Sequence, residues 1–159
     1  MHKIGFGYDI HRLEAGRRLV LGGTEVPFAA GLLGHSDGDA LVHAVIDALL
    51  GALGEGDIGA HFPDTDPRYG GARSTGLLEA VVAIVRARGA EIVNVDSVVV
   101  AEEPKMSPHI PAMKAVLSPI LGIPAASLGI KAKTNEGLGP VGEKRAIACY
   151  AVALLRIPD

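Results

Sequence analysis

The order of apolar and polar residues along the chain predicts short strands and amphipathic helices that follow one another irregularly. Residues 2–13 alternate between the two kinds and predict a strand, and residues 18–28 predict a hairpin that turns at Gly22 and Gly23. Apolar residues with a helical period then predict a helix over 36–53. Beyond it, the pattern indicates helices over 74–88 and 107–121 and strands over 91–101, 128–133 and 146–157.

The irregular order of these elements indicates how they pack. Because strands and helices mix without strict alternation, we predict one α/β (α+β) domain over residues 1–159, with a single mixed β-sheet and helices on one face. The apolar segment 146–157 is consistent with a strand or a buried helix, and a strand is favoured because it would complete the sheet. The second face of the sheet also needs cover, which packing as a homotrimeric prism would supply.

The predicted helix over 36–53 begins in the stretch with the most candidate chemistry. Ser36 followed by Asp39 is typical of a helix N-cap with an acid three residues on. Asp39, His43 and Asp47 are spaced four residues apart, so they form one column on the helix. A histidine flanked by carboxylates is suited to metal binding, and Asp47 is favoured as the carboxylate that supports His43 from outside the ligand set.

The start of this helix and the first strand complete a candidate site. His35 and Ser36 lie where free backbone N–H groups and the helix dipole favour an anion. Asp9 and His11 are two residues apart, so their side chains leave the same face of the strand. Alone, this pair is as consistent with a surface position as with a metal site, but a nitrogen ligand from His43 would favour Zn²⁺ or Mn²⁺. We therefore expect a site for a metal ion and an anion.

The composition and net charge of the chain argue against several classes of protein. The chain is 48% hydrophobic, which indicates a folded core and excludes disorder. Its net charge is −3 and it has no basic run, so nucleic-acid binding is not expected, and a phosphate substrate would require metal cations. The single cysteine, Cys149, excludes an intrachain disulfide and is expected to be buried. No signal-peptide or membrane-spanning pattern is found, which predicts a cytoplasmic protein without a membrane partner.

The segment 54–67 is a long connection rich in acidic residues, prolines and glycines. Long connections within a compact domain are usually functional or disordered. Ile58 and Phe62 could anchor this one on the core, so we favour an ordered flap over a substrate.

Several motifs, in their order and spacing, resemble one known family. They are Gly7–His11, Gly34–Asp39 with His43, Gly56–Gly59 with Phe62–Asp66, Pro104–Met106 with Pro108–Ile110, and Lys131 and Ala132 with Thr134 and Glu136. Together they cover nearly the whole chain and resemble the 2-C-methyl-D-erythritol 2,4-cyclodiphosphate synthases of the non-mevalonate isoprenoid pathway. The resemblance implies a homotrimer with active sites between subunits. It also implies a reaction in which the 2-phosphate of 4-diphosphocytidyl-2-C-methyl-D-erythritol 2-phosphate attacks the β-phosphorus and expels CMP.

The resemblance also implies the roles of individual residues. Asp9, His11 and His43 match the zinc ligands of the family, and Glu136 would bind a second cation, Mg²⁺ or Mn²⁺, that bridges the diphosphate. His35 and Thr134 match residues that polarise the phosphates in the transition state. The implied substrate contacts are Asp9, Ile10, His11, His35, Ser36, Asp57, Ile58, Gly59, Phe62, Pro63, Asp64, Thr65 and Asp66, and, from the adjacent subunit, Ala101, Pro104, Lys105, Met106, Ser107, Lys133, Thr134, Asn135 and Glu136.

Charged residues outside these motifs receive plainer interpretations. Asp37 is interpreted as a first-turn acid and Glu102 as part of a solvated strand end. Family members often carry an Arg-x-Glu pair where this chain has Glu143 and Arg145, so we expect an ion pair of reversed order, near the trimer axis. Two other classes stay open: a metal-dependent phosphohydrolase, which would use water as nucleophile, and a non-catalytic trimeric protein that binds a nucleotide or an isoprenoid.

Overall fold

A mixed five-stranded sheet organises the chain. The computed structural model describes residues 1–158. The strands are β1 His2–Ala15, β2 Leu19–Leu21, β3 Thr24–Val26, β4 Ala30–Leu32, β5 Glu91–Val100, β6 Leu128–Lys133 and β7 Ala146–Arg156, and the helices are α1 Ala40–Leu53, α2 Ile58–His61, α3 Ser74–Ala87, α4 Ile110–Leu121 and α5 Gly139–Gly142. The strands of the main sheet lie in the order β4-β1-β7-β5-β6. Neighbours are antiparallel except β5 and β6, which are parallel.

The helices cover one face of this sheet, as the sequence predicts. Helix α1 lies directly on β1, so closely that a β-carbon built on Gly5 would lie 1.8 Å from the carbonyl oxygen of Ala48. On the other side of α1, Leu49 and Leu50 are fully buried within the core that it shares with α3 and the sheet. The mixed sheet with helices on one face is confirmed.

The opposite face of the sheet is apolar and exposed. Ile4 and Phe6 on β1 are 71% and 62% exposed, and Tyr8 follows them in the same row. Tyr150 and Val152 on β7 extend the same surface, with the Tyr8 and Tyr150 rings 5.0 Å apart. Large exposed apolar patches of this kind are typical of surfaces that contact another protein. No element formed by residues 1–158 covers this face.

Two predicted elements differ from those observed. Residues 19–26 form the predicted hairpin, but β2 and β3 make a separate two-stranded sheet rather than part of the main one. The third helix begins at Ile110, since residues 107–109 form a single 3₁₀ turn. The segment 146–157 contains strand β7, inside the main sheet, so the favoured strand is confirmed.

Helix α1 begins at Ala40, with Asp39 rather than Ser36 as its N-cap, so the predicted start is wrong. The Asp39 carboxylate accepts a hydrogen bond from Val42 N at 3.1 Å. It also accepts bonds from Gly22 N at 2.9 Å and Gly23 N at 2.7 Å, in the turn of the hairpin. Asp39 is fully buried, and these three donors replace its lost hydration. One carboxylate therefore fastens the hairpin to the helix.

The helices of residues 1–158 are also too short or too polar for a membrane. None of them combines the length and the apolar character that crossing a bilayer requires.

Candidate active site

Asp9, His11 and His43 meet where α1 lies on β1. The nearest Asp9 oxygen, Oδ2, is 2.8 Å from His11 Nε2 and 2.9 Å from His43 Nδ1, and the two ring nitrogens are 3.3 Å apart. One ligand atom from each residue lies within 4.8 Å of the others. We call these three residues the Asp–His–His cluster. The structure confirms the predicted juxtaposition of the strand pair with the helix histidine.

Hydrogen bonds in the cluster favour the charged form of its carboxylate. Burial alone would raise the pKa of Asp9, but hydrogen bonds from His11 and His43 and their positive charge outweigh it and lower that pKa. The hydrogen bond to Asp9 raises the pKa of His11. An ionised carboxylate beside two imidazoles is a ligand set that zinc sites in proteins use.

The far nitrogen of each ring has its own partner. His11 Nδ1 lies 2.6 Å from the carbonyl oxygen of Leu33, to which it donates. His43 Nε2 lies 2.8 Å from Ser74 Oγ and 3.2 Å from Ser36 Oγ. Both rings therefore direct the remaining nitrogen towards Asp9.

The carboxylate predicted to support His43 does something else. Asp47 Oδ1 accepts a hydrogen bond from Ile58 N at 2.8 Å, which ties the start of α2 to α1. Burial raises the pKa of Asp47. The residue that extends the chain of contacts from His43 is Ser74, whose hydroxyl donates to Asp37. Asp37 is thus more than a first-turn acid, and the prediction for Asp47 is corrected.

A cavity of about 410 Å³ opens beside the Asp–His–His cluster. Its walls include the Asp–His–His cluster and much of the predicted flap. They are Asp9, His11, His35, Ser36, His43, Asp47, Ile58, Gly59, Phe62, Pro63, Asp64, Tyr69 and Leu77. The sequence predicts neither Tyr69 nor Leu77 as a site residue, because nothing in their spacing relates them to the metal ligands.

Acidic side chains of the flap accept hydrogen bonds from nearby backbone N–H groups. Asp57 caps α2 by accepting from Ala60 N at 2.9 Å, and Asp66 accepts from Arg68 N at 2.9 Å. Phe62 packs edge-on against Tyr69, with the ring centres 5.3 Å apart.

Asp57, Thr65 and Asp66 do not line the cavity formed by residues 1–158, and the exposed side chain of Ile10 lies on the opposite face of the sheet. Their predicted contacts with substrate stay predictions.

The other predicted substrate residues form a second cluster, defined as residues 101–107 and 133–137. Ala101 N donates to the Lys133 carbonyl at 2.9 Å, which joins the ends of β5 and β6. Thr134 Oγ1 donates to Glu136 Oε1 at 3.1 Å. Pro104, Lys105, Met106, Ser107 and Asn135 belong to the same cluster by position.

Within the described chain, the second cluster lies apart from the Asp–His–His cluster. None of its residues lines the 410 Å³ cavity, and the metal-type grouping found within residues 1–158 does not include Glu136. The role of Glu136 as a metal ligand therefore stays a prediction. One chain thus carries the predicted site residues in two separate places.

Glu102 organises the second cluster, which the sequence did not predict. Its Oε1 atom accepts hydrogen bonds from Asn135 N at 2.8 Å and Gly137 N at 3.3 Å. Glu102 is therefore not only a solvated strand end. Its partner Asn135 is 33 residues away, so no local spacing could have indicated the contact.

The reversed charge pair is present as an ion pair. Arg145 Nε donates to Glu143 Oε2 at 2.8 Å, and Arg145 Nη2 reaches the same oxygen at 2.5 Å. The expected pairing of Glu143 with Arg145 is confirmed, while its place near a trimer axis stays a prediction.

Comparisons with known proteins agree with this arrangement. The sequence profile of the YgbB family matches residues 2–156. A 2-C-methyl-D-erythritol 2,4-cyclodiphosphate synthase of Gloeobacter violaceus is 59% identical over 153 residues, which is 96% of this chain and 94% of that protein. The corresponding enzyme of Acaryochloris marina is 56% identical over 153 residues, with 96% and 95% covered.

A solved structure shares the fold. It is a 2C-methyl-D-erythritol-2,4-cyclodiphosphate synthase in a form with bound CDP, with a TM-score of 0.90 and 45% sequence identity. The match covers 97% of this chain and all of that one. The chain therefore belongs to the YgbB family, the family of the 2-C-methyl-D-erythritol 2,4-cyclodiphosphate synthases.

Proposed function

We propose that the protein converts 4-diphosphocytidyl-2-C-methyl-D-erythritol 2-phosphate into 2-C-methyl-D-erythritol 2,4-cyclodiphosphate and CMP. One observation carries the proposal: the Asp–His–His cluster lies in the wall of a cavity, in a chain that matches named synthases over nearly its whole length. An oxygen of the 2-phosphate forms a bond to the β-phosphorus, and the bond from that phosphorus to the oxygen retained by CMP breaks. No water is consumed.

The residues present fit a divalent metal ion. Asp9, His11 and His43 offer one carboxylate oxygen and two imidazole nitrogens that converge, and the far nitrogen of each ring is already hydrogen-bonded. These three residues would hold Zn²⁺, and Glu136 would contribute to a second site for Mg²⁺ or Mn²⁺. When bound, such cations neutralise charge that develops on the phosphate oxygens.

The chain itself supplies orientation and a dry site. His35 and Ser36 line the cavity, where their side chains would hold a phosphate. Ile58, Phe62 and Leu77 add apolar walls that would exclude water from the β-phosphorus. Because the substrate carries its own nucleophile, no protein group has to form a covalent bond, and positioning provides the acceleration.

We propose that neighbouring subunits complete the site in a homotrimer. The second cluster, with Thr134 and Glu136, carries the predicted contacts to the cytidine diphosphate but does not line the cavity of its own chain. A head-to-tail contact would bring it to the cavity of the next chain, and such contacts close into rings. The exposed apolar face around Phe6 and Tyr150 supports a protein contact on the sheet.

Phosphorus NMR tests the reaction directly. The purified protein is mixed with the cytidine diphosphate substrate and Mg²⁺, before and after treatment with a chelator. A cyclic diphosphate together with CMP, both lost on chelation, is the expected result. Open-chain phosphates would indicate a phosphohydrolase instead, and bound but unchanged substrate would indicate a binding protein. A cytoplasmic location is part of the proposal, and the free thiol of Cys149 is compatible with it.

A further inference from the structure

A hydroxyl and a carboxylate outside the ligand set contact His43 on the side away from Asp9. Ser74, the first residue of α3, is fully buried, and its Oγ atom lies 2.8 Å from His43 Nε2. The same hydroxyl donates to Asp37 Oδ1, and Ser74 N donates to Asp37 Oδ2 at 3.0 Å. A continuous chain of contacts therefore runs from His43 through Ser74 to Asp37.

Hydrogen-bond donors and acceptors fix the direction of this chain. A carboxylate only accepts, so the single hydroxyl proton of Ser74 is used on Asp37. Ser74 Oγ must then accept from His43, which places the proton of a neutral ring on Nε2. Nδ1, the nitrogen 2.9 Å from Asp9 Oδ2 and 3.3 Å from His11 Nε2, is then the atom that gives up its proton, and with it the hydrogen bond to Asp9, when a metal ion binds.

We infer that Ser74 and Asp37 are positioning residues that hold His43 in the tautomer that binds metal through Nδ1, and so raise the metal affinity of the site. The inference rests on the proposed function only in taking the Asp–His–His cluster as a metal site. His11 has an equivalent support in the Leu33 carbonyl, which no side-chain substitution removes. His43 is thus the ligand whose orientation depends on side chains.

Asp47 provides a matched comparison, because it is the carboxylate that sequence spacing favours for this role. It lies one helical turn from His43, yet its carboxylate accepts a hydrogen bond from Ile58 N at 2.8 Å. Replacing Asp37 or Asp47 by asparagine removes one charge and changes almost no volume in either case. The two variants therefore separate a specific contact from a general loss of negative charge near the metal.

Asparagine at position 37 should reverse the chain. Its one oxygen would accept the fixed N–H of Ser74, so its amide would donate to Ser74 Oγ. The hydroxyl proton would then turn to His43 Nε2 and leave the ring proton on Nδ1, where a metal ion has to bind. Ser74→Ala would instead remove the nearer hydroxyl at Nε2 and leave only Ser36 Oγ, 3.2 Å away.

Zinc affinity measured without substrate tests the inference. The full-length protein is stripped of metal, and Zn²⁺ is titrated in competition with a chromophoric chelator. We expect Asp37→Asn and Ser74→Ala to weaken zinc binding about 10- to 100-fold, and Asp47→Asn to change it by less than about twofold. Unchanged affinity in Asp37→Asn, or an equal loss in Asp47→Asn, would overturn the inference.

A second measurement on the unchanged sequence protects the test from variants that fail to fold. In zinc-saturated protein labelled with ¹⁵N-histidine, NMR identifies which ring nitrogen of His43 carries the proton. A proton on Nε2 is expected, and ligation through Nε2 would contradict the inference. Neither measurement uses the diphosphate substrate, so failure of the proposed reaction and failure of this inference are distinguishable.

Discussion

Gly7 of β1 lies directly under Ala44 of α1, so closely that a β-carbon on Gly7 would be 1.9 Å from the Ala44 carbonyl oxygen. Ala44 adjoins His43, and Asp9 is the next residue of β1 on the same face. The distance between strand and helix therefore sets the distance between the ligands that they carry. A close approach that only glycine permits is what brings the Asp–His–His cluster together.

Gly7→Ala should consequently disrupt both fold and site. The added methyl meets backbone atoms, which cannot rotate away, so we expect a loss of about 3 kcal/mol or more in the free energy of unfolding and weaker zinc binding. Chemical denaturation measures the first effect. Gly76→Ala is the matched control, because that glycine lies on the exposed side of α3 with open space around it, and alanine there should stabilise by up to about 1 kcal/mol. Equal stability of the two variants would refute the proposed contact.

Asp39 should matter for stability and not only for the start of a helix. Asp39→Ala leaves three backbone donors without a partner, in a place that water does not reach, and we expect about 2–4 kcal/mol of destabilisation in urea unfolding. Asp96→Ala removes only a half-exposed ion pair with Lys131 and should cost less than about 1 kcal/mol. A small effect at Asp39 would show that the hairpin does not depend on this carboxylate.

Cys149 should be unreactive in the folded protein. Its side chain is fully buried on β7, and burial raises the pKa of the thiol well above its ordinary value. The thiolate is the reactive form, so at pH 8 a thiol reagent should label the native protein far more slowly than the denatured chain. Mass spectrometry of the labelled protein makes the comparison. Rapid native labelling would mean that β7 opens readily.

Metal should stabilise the protein through His43. A ligand that binds only the folded state adds about 2.7 kcal/mol at a free concentration 100 times its Kd. We expect Zn²⁺ to raise the Tm of the metal-free protein, and His43→Ala to abolish the rise. His109→Ala, a histidine outside the cluster, should keep it. A Tm increase that survives in His43→Ala would place the ion elsewhere.

Local spacing predicted those parts of the site that a single element determines. Asp9 and His11 share a face because strand side chains alternate, and that relationship could be read without a structure. The start of α1 could not be read in this way, because the partners of Asp39 in the hairpin turn are 16 and 17 residues away. The same is true of Asp37 and Ser74, which are 37 residues apart.

The resemblance to a family goes further than spacing, because it relates residues that the described part of this chain does not bring together. It assigned Thr134 and Glu136 to the same site as His43, although the second cluster does not line the cavity of its own chain. The arrangement of chains in an assembly is not encoded in any local sequence pattern. Only an experiment on the assembled protein can therefore test whether Thr134 and Glu136 share a site with His43.

Complementation between two inactive variants tests whether one active site is built from two chains. His43→Ala damages the first cluster and Thr134→Ala the second, and each variant alone should be inactive. The two are co-expressed with different tags, and trimers that carry both tags are purified. Every such trimer would contain one undamaged site, so we expect about one third of the unmodified rate of CMP release. No recovery in mixed trimers would contradict this expectation and place the complete site within a single chain.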